Sequence, residues 1–398
     1  MNHAGSPPCT GAGSRGAFAE TNPFGQLSGP GSAASMRRPP RTPRLRRSDC
    51  SAPGFRRVRR GRGFAYVDGG GEPIADPQTI ERVRALGIPP AWQEVWICAD
   101  PRGHLQATGI DAAGRKQYLY HPVWRELRDR QKFQTMEDFA EALPALRRHV
   151  TDDLGSTSEL TRERVLACAA RMLDVGFFRI GGQEYAKEDG GVGLATLRRD
   201  HVSFSGQEAV FSYPAKSGVR RHHSLADPDV VAVLSPLRRR RSGPPELLAY
   251  RQGRSWRSLH SDDINEYVKR HVGEEFSAKD FRTWNATVLA AVALARHAED
   301  QKSYRTSTSR KRVQSAVARE VAELLGNTPA VARRSYIDPR VFDRYLNRWT
   351  INDTLEPFEF GRLDETGDQR RRRVELAVLK LLEDERDPRV LRKLPAAA

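Results

Sequence analysis

The side chains able to do chemistry form none of the familiar catalytic kits. Cys9, Cys50, Cys98 and Cys168 stand too far apart for CxxC metal pairs and are too few for a disulfide framework. The ten histidines do not fall in zinc spacing, and His222-His223 reads as an isolated surface pair. There is no HExxH, no nucleophile elbow and no Walker loop; Gly69-Gly70-Gly71 and Gly181-Gly182 read as turns. No compact acidic cluster suggests a two-metal nuclease. Arginine is what the chain has in abundance. Cleavage of a phosphodiester without metal needs fixed cations on the non-bridging oxygens, which guanidinium pairs supply. It needs a side-chain nucleophile such as Tyr, Ser or Asp if the bond energy is to be kept. It also needs a proton donor for the departing 5′ oxygen. Residue type alone leaves open which side chains fill these roles.

Behind these residues the pattern of elements changes along the chain. From Phe64 to Val67 a short strand runs into Asp68-Gly69-Gly70-Gly71, a hairpin signal. Segments 94–98, 104–108 and 115–120 continue as a meander, predicting a small antiparallel β domain. Residues 122–148 read as a polar helix and 151–156 as a linker. Val165, Cys168, Ala169 and Met172 recur at helical spacing, with Gly176 as the stop. Residues 194–197, 202–204 and 209–213 read as strands of a small sheet, followed by a polar Arg-rich stretch at 238–258. Helices are predicted at 262–272, 285–297, 311–325 and 370–394, the third capped by Gly326-Asn327. The fold class is α+β, with a β-rich N-terminal domain and a mainly helical second domain carrying a small three-stranded sheet. The boundaries read as a disordered extension 1–57, a β domain 58–150 and a helical domain 151–398.

Charge is unevenly spread. The net charge is 66 − 50 = +16, and residues 1–62, with twelve Arg against Glu20 and Asp49, hold +10 of it. Further basic runs lie at Arg220-Arg221, Arg238 to Arg241 and Arg370 to Arg373. Together they make a polyanion the leading partner. No run approaches the roughly 18 apolar residues of a membrane span. The sparse cysteines and the absence of a secretory pattern point to a reducing, intracellular compartment.

Five segments, in order, resemble the type IB DNA topoisomerases, in particular the poxvirus-like and bacterial branch. They are Gly114-Arg115-Lys116-Gln117-Tyr118-Leu119-Tyr120; Phe177-Phe178-Arg179-Ile180-Gly181 with Val192-Gly193-Leu194-Ala195-Thr196-Leu197; Lys216-Ser217-Gly218-Val219; Lys279-Asp280-Phe281-Arg282-Thr283-Trp284; and Gly326-Asn327-Thr328-Pro329-Ala330-Val331 leading to Arg334-Ser335-Tyr336. The resemblance covers about 58–350. It implies that Tyr336 is the nucleophile that takes up the 3′ phosphate, that Arg179 and Arg282 clamp that phosphate, and that Lys216 protonates the leaving 5′ hydroxyl. Lys279 matches an accessory cation, and Gln117, Tyr118 and Tyr120 match DNA-touching positions of the N-terminal domain. Asn327 stands where poxviral and eukaryotic members carry His; an amide N–H can donate to a non-bridging oxygen but cannot carry charge, so its role is oxyanion stabilisation.

The resemblance further implies double-stranded DNA as partner, a monomer closing as a clamp, no metal, ATP or other cofactor, and a nucleoid-associated place in the bacterial cytoplasm. Two other readings stay open. A tyrosine recombinase shares the kit but usually has His three residues before the second arginine, where Lys279 stands here. A non-catalytic DNA-binding protein would have lost one of Tyr336, Arg179, Arg282 or Lys216, and none is replaced. Taken singly, Tyr336 reads as packing, Arg179 as an ion-pair partner, Lys216 as a solvated turn lysine, and Phe281 and Trp284 as core; only the ordered set says otherwise.

Overall fold

The computed structural model describes residues 44–182, 191–215, 218–351, 365–383 and 390–395. The chain divides into two compact units, Met1–Lys132 and Phe133–Ala398. Its architecture is α+β.

The first unit is built on five antiparallel strands: β1 (Phe55–Arg60), β2 (Gly63–Val67), β3 (Gln93–Ile97), β4 (Leu105–Ile110) and β5 (Lys116–Tyr120), in the order β2-β1-β3-β4-β5. Val95, Ile97 and Ala107 pack with Val83 of helix α1 (Pro77–Ala85), which Asp76 caps by accepting from the N–H groups of Gln78 and Thr79. Residues ahead of β1 were expected to belong to the basic arm. Instead the Arg46 N–H donates to Arg102 O at 2.9 Å and Ser48 Oγ to Leu105 O at 2.9 Å, so this unit starts before residue 58. The rest of the arm, residues 1–43, lies outside the described residues.

Helix α2 (Pro122–Gly155) follows. The linker expected at 151–156 is mostly its last turns, because Val150 and Leu154 continue the buried stripe of Phe139, Leu143 and Leu146.

In the second unit α3 (Arg162–Gly176) leads to a three-stranded antiparallel sheet of β6 (Val202–Ser205), β7 (Glu208–Pro214) and β8 (Arg220–Leu225), in that order. The strand expected at 194–197 is a short 3₁₀ turn, Leu194–Thr196, whose N–H groups bind the carbonyls of residues 179 and 180 instead of a ladder. Its place in the sheet is taken by β8, whose polar sequence gives no apolar alternation to read. Helix α4 (Pro228–Arg239) is followed by a hairpin, β9 (Ala249–Gln252) and β10 (Ser255–Ser258), inside the polar Arg-rich stretch 238–258.

The remaining helices are α5 (Ser261–Val272), α6 (Ala278–His297), α7 (Gln301–Tyr304), α8 (Ser307–Leu325), α9 (Pro329–Ser335), α10 (Pro339–Leu346) and α11 (Glu365–Glu383). The helix expected to run to 394 does not include the chain's last described residues: β12 (Leu391–Lys393) pairs with β11 (Trp349–Ile351). Helix α6 is buried on every face from Phe281 to Ala295, as a central helix must be, and Phe281 and Trp284 lie in the core.

One polar cluster crosses this core. Asp174 at the end of α3 accepts from Arg147 of α2 at 2.8 Å and from Arg371 of α11 at 2.6 Å, and Glu375 accepts from Arg147 at 2.7 Å. Asn285 of α6 donates to Asp174 O at 2.8 Å. Burial alone would raise the Asp174 carboxyl, but the two guanidinium groups outweigh it and hold it well below the usual carboxylate range. Among the described residues no helix is long and apolar enough to cross a membrane.

Candidate active site

Three backbone devices bring the expected residues together. The first ends α3. Gly176 is its last residue and Phe177 takes the left-handed conformation, φ 53°, which is unusual for a residue with a side chain. This turns the chain so that Arg179 leaves the core on an extended segment. That segment is locked from the other side: Leu194 N–H donates to Arg179 O and Ala195 N–H to Ile180 O, each at 2.8 Å. The lock requires glycine at both contact points, since a Cβ on Gly181 would come within 2.7 Å of Gly193 Cα.

The second device ends α8. Gly326 adopts φ 61°; its N–H donates to Glu323 O at 3.1 Å and the Asn327 N–H to Ala322 O at 2.8 Å, which is a Schellman cap. The cap leaves the carbonyls of Leu324, Leu325 and Gly326 free to accept from side chains. Arg282 Nη2 donates to Leu325 O at 2.8 Å, and Arg179 Nη2 to Gly326 O at 2.6 Å. Arg179 Nη2 also donates to Asn327 Oδ1. A guanidinium only donates, so it fixes the amide orientation and leaves Asn327 Nδ2 as a buried donor with no partner among the described residues.

The third device positions the tyrosine. Thr328 caps α9 and Pro329 occupies its first turn, so α9 starts sharply after the Gly326-Asn327 bend and ends at Tyr336. Thr287 of the central helix α6 binds the segment beyond it: its Oγ1, which donates to Thr283 O at 2.9 Å within the helix, accepts from the Asp338 N–H at 3.1 Å and lies 3.4 Å from Tyr336 O. Ile337 between them is fully buried.

Arg282 projects from the first turns of α6. It is buried, its Nη1 donates to Phe177 O at 2.5 Å, and its Cζ lies 5.3 Å from the centroid of the Tyr336 ring. Burial, and after it the neighbouring charge of Arg179, pushes this guanidinium down to about 10. Such a cation is held at a cost that a bound anion would lower.

Arg179, Arg282, Lys279 and Tyr336 line one cavity of about 600 Å³, with Gly181, Gly193 and Asn265 among its other walls. Lys279 is exposed on the first turn of α6. Asn327 does not line this cavity and joins the group only through Arg179. Lys216 lies outside the described residues.

In the other unit, Tyr118 and Tyr120 of β5 are exposed and stacked with ring centroids 6.2 Å apart. Strand alternation puts Gln117 on the opposite face from them, and its amide donates to Asp111 Oδ2 at 2.8 Å. Among the described residues no group of three His, Cys, Asp or Glu could hold a metal.

Sequence reasoning missed two residues. Thr287, five positions after Arg282, carried no signal beyond a buried helical position. His222-His223 was read as a surface pair. His222 is exposed, but both ring nitrogens of His223 are buried with no partner among the described residues, the ring lying against Phe178 at 4.5 Å and Phe211 at 5.2 Å. The sign was the i, i+2 spacing of Arg221, His223 and Leu225, which puts them on one face of a strand.

Comparisons with known proteins bear on the same segments. Residues 121–351 match the family model of the eukaryotic DNA topoisomerase I catalytic core, and residues 63–111 match that of the bacterial DNA topoisomerase IB N-terminal domain. The chain is 29% identical to the DNA topoisomerase 1B of Acanthamoeba polyphaga mimivirus over 300 residues, covering 74% of this chain and 88% of that protein. It is 23% identical to the DNA topoisomerase 1B of Vaccinia virus over 63% of this chain and 75% of the viral one. The shared region includes the elements that carry Arg179, Arg282 and Tyr336. On this agreement the chain belongs to the type IB DNA topoisomerase family, enzymes whose substrate is DNA and whose activity is its relaxation.

Proposed function

We propose that this enzyme relaxes supercoiled duplex DNA by transient cleavage of one strand through a phosphotyrosyl link. Tyr336 Oη forms a bond to the scissile phosphorus while the bond to the 5′ oxygen breaks. The phenolic proton goes to solvent, and Lys216 protonates the departing oxygen. Arg179 and Arg282 neutralise the non-bridging oxygens, Asn327 Nδ2 donates to one of them, and Lys279 adds positive charge nearby. The swivelled 5′ hydroxyl then attacks the 3′-phosphotyrosine and restores the strand. Because the link keeps the free energy of the broken bond, neither ATP nor a metal is required.

The observation that carries this reading is the shared cavity of Tyr336, Arg179, Arg282 and Lys279. Exposed Tyr118 and Tyr120, with Gln117 behind them on the strand, are read as the N-terminal DNA contacts. The enzyme is read as a monomer acting on the chromosome in a bacterial cytoplasm, with the N-terminal unit, which begins ahead of residue 58, as its DNA clamp, the helical unit from Phe133 as its catalytic part and the basic arm as added phosphate affinity. Incubation with supercoiled plasmid in EDTA, without ATP, tests the mechanism. A ladder of relaxed topoisomers is expected, and a Tyr336→Phe variant that still relaxes plasmid would refute it.

A further inference from the structure

The free carbonyls at the end of α8 have a third arginine partner. Arg221 lies on β8 opposite Tyr213 of β7 in the ladder. Its Nη2 donates to Leu324 O. Leu324, Leu325 and Gly326 thus present consecutive carbonyls to Arg221, Arg282 and Arg179, one guanidinium each. The packing is close: a Cβ on Gly326 would strike Arg221 Nη1 and stand 3.9 Å from Arg179 Nη1. Arg221 Nε is buried and has no partner among the described residues. Burial, eased by Tyr213 and deepened by the charge of Arg179, pushes the Arg221 guanidinium down from its ordinary value.

Two of these arginines already have a part in the proposed chemistry; Arg221 has none. Its position gives it one. The Schellman cap is the bend from which the chain passes through Asn327 and Thr328 into α9 and on to Tyr336. Arg282 and Arg179 hold the bend from α6 and from the segment after α3, and Arg221 holds it from the three-stranded sheet. A guanidinium suits this place because its planar fork reaches a carbonyl at a fixed angle.

We propose that Arg221 is a positioning residue for strand cleavage, holding Leu324 O so that the Gly326-Asn327 bend presents Asn327 and Arg179 to the phosphate. The inference rests on the phosphotyrosyl reading above. It differs from a stabilising staple in one respect: its effect on cleavage runs through Asn327.

The test is single-turnover cleavage of a nicked duplex at saturating enzyme, for Arg221→Ala, Arg221→Lys, Asn327→Ala and the double variant Arg221→Ala/Asn327→Ala. DNA affinity and the melting temperature are recorded for each. Arg221→Ala is expected to slow cleavage by about tenfold or more while changing the DNA dissociation constant less than about threefold. Arg221→Lys is expected to recover part of the rate. In the Asn327→Ala background the same Arg221→Ala change is expected to cost less than about threefold, the mark of two residues acting as one unit. Wild-type cleavage by Arg221→Ala, or an equal loss in both backgrounds, would overturn the inference. Unfolding of Arg221→Ala leaves the Arg221→Lys comparison to decide: no difference from wild type in rate, with or without Asn327, overturns it as well. Cleavage by Tyr336→Phe would instead remove the reading beneath it, so the two failures are told apart.

Discussion

The guanidinium carbon of Arg282 lies 5.3 Å from the centroid of the Tyr336 ring, on a side chain otherwise tied to two backbone carbonyls. This fixes the cation relative to the phenol before any DNA arrives, and fixed dipoles and charges lower a barrier most when they need no rearrangement. Arg282→Ala is expected to slow single-turnover cleavage by about 10²–10³-fold. Arg282→Lys is expected to restore only a small part, because one ammonium cannot keep both carbonyls and a phosphate oxygen in reach. Tyr336→Phe is expected to bind DNA with near-wild-type affinity and form no covalent adduct on a denaturing gel.

Asn327 separates the roles of hydrogen bonding and charge. Its Oδ1 is taken by Arg179 and its Nδ2 is a buried donor with no partner among the described residues. Asn327→Ala removes that donor and is expected to cost about tenfold to a hundredfold in cleavage rate. Asn327→Asp keeps the contact with Arg179 but turns an acceptor toward the phosphate, so it is expected to be slower than Asn327→Ala. A rate for Asp equal to or above that of Ala would show that no hydrogen bond from this position reaches the reacting group.

Thr287 links the central helix to the segment after Tyr336 by accepting from the Asp338 N–H while donating to Thr283 O. Thr287→Val keeps the shape and leaves a buried N–H unpaired, a loss of about 1–3 kcal/mol. Thermal unfolding should show that drop, and the cleavage rate should fall further than Tm alone explains.

His223 gives the fold a sensitivity to acid. Burial first, and then Arg221, pushes its imidazole down to about 3 from an ordinary 6.5. The unfolded chain therefore binds a proton between those values while the folded protein does not, and stability is lost as pH falls from about 6.5 toward 3. The slope from this group can reach about 1.4 kcal/mol per pH unit. His223→Leu is expected to flatten the melting temperature between pH 6.5 and 5 and to raise it at pH 5. Identical pH profiles for the two proteins would show that the ring is reachable by water.

Asp174 is buried between Arg147 and Arg371, so its removal strands charge. Asp174→Asn is expected to destabilise the second unit by about 3–5 kcal/mol in urea unfolding, because Arg147 and Arg371 then lose a carboxylate that both use and are left to share Glu375.

How much of this was legible follows from where each signal resides. That Arg179, Arg282, Asn327 and Tyr336 belong near one another was legible because several sit in local strings whose neighbours are themselves constrained: Gly181 and Gly193 by their backbone contact, Gly326 by its left-handed cap. Arg221 was not readable as part of the site, since its partner Leu324 O is 103 residues away and a backbone carbonyl has no letter in the sequence. Strand β8 escaped notice because polar residues fill both of its faces until Leu225. The end of α2 was misread as a linker because Thr151 to Ser156 has turn composition, while Val150 and Leu154 find a core on one side of it. Local composition lost to tertiary burial there, as it did at the short strand β12, which tertiary pairing alone specifies.

The partners of Arg179, Arg221 and Arg282 at the α8 cap are neutral oxygens, and none of the three is in an ion pair with a carboxylate among the described residues. Among the described residues, then, the cavity's positive potential meets no carboxylate counter-ion from these three partners. Whatever anion arrives first can take the place, so chloride and inorganic phosphate should act as competitors of nucleic acid at this point, and the ionic composition of the medium sets how often the centre is vacant when a duplex passes.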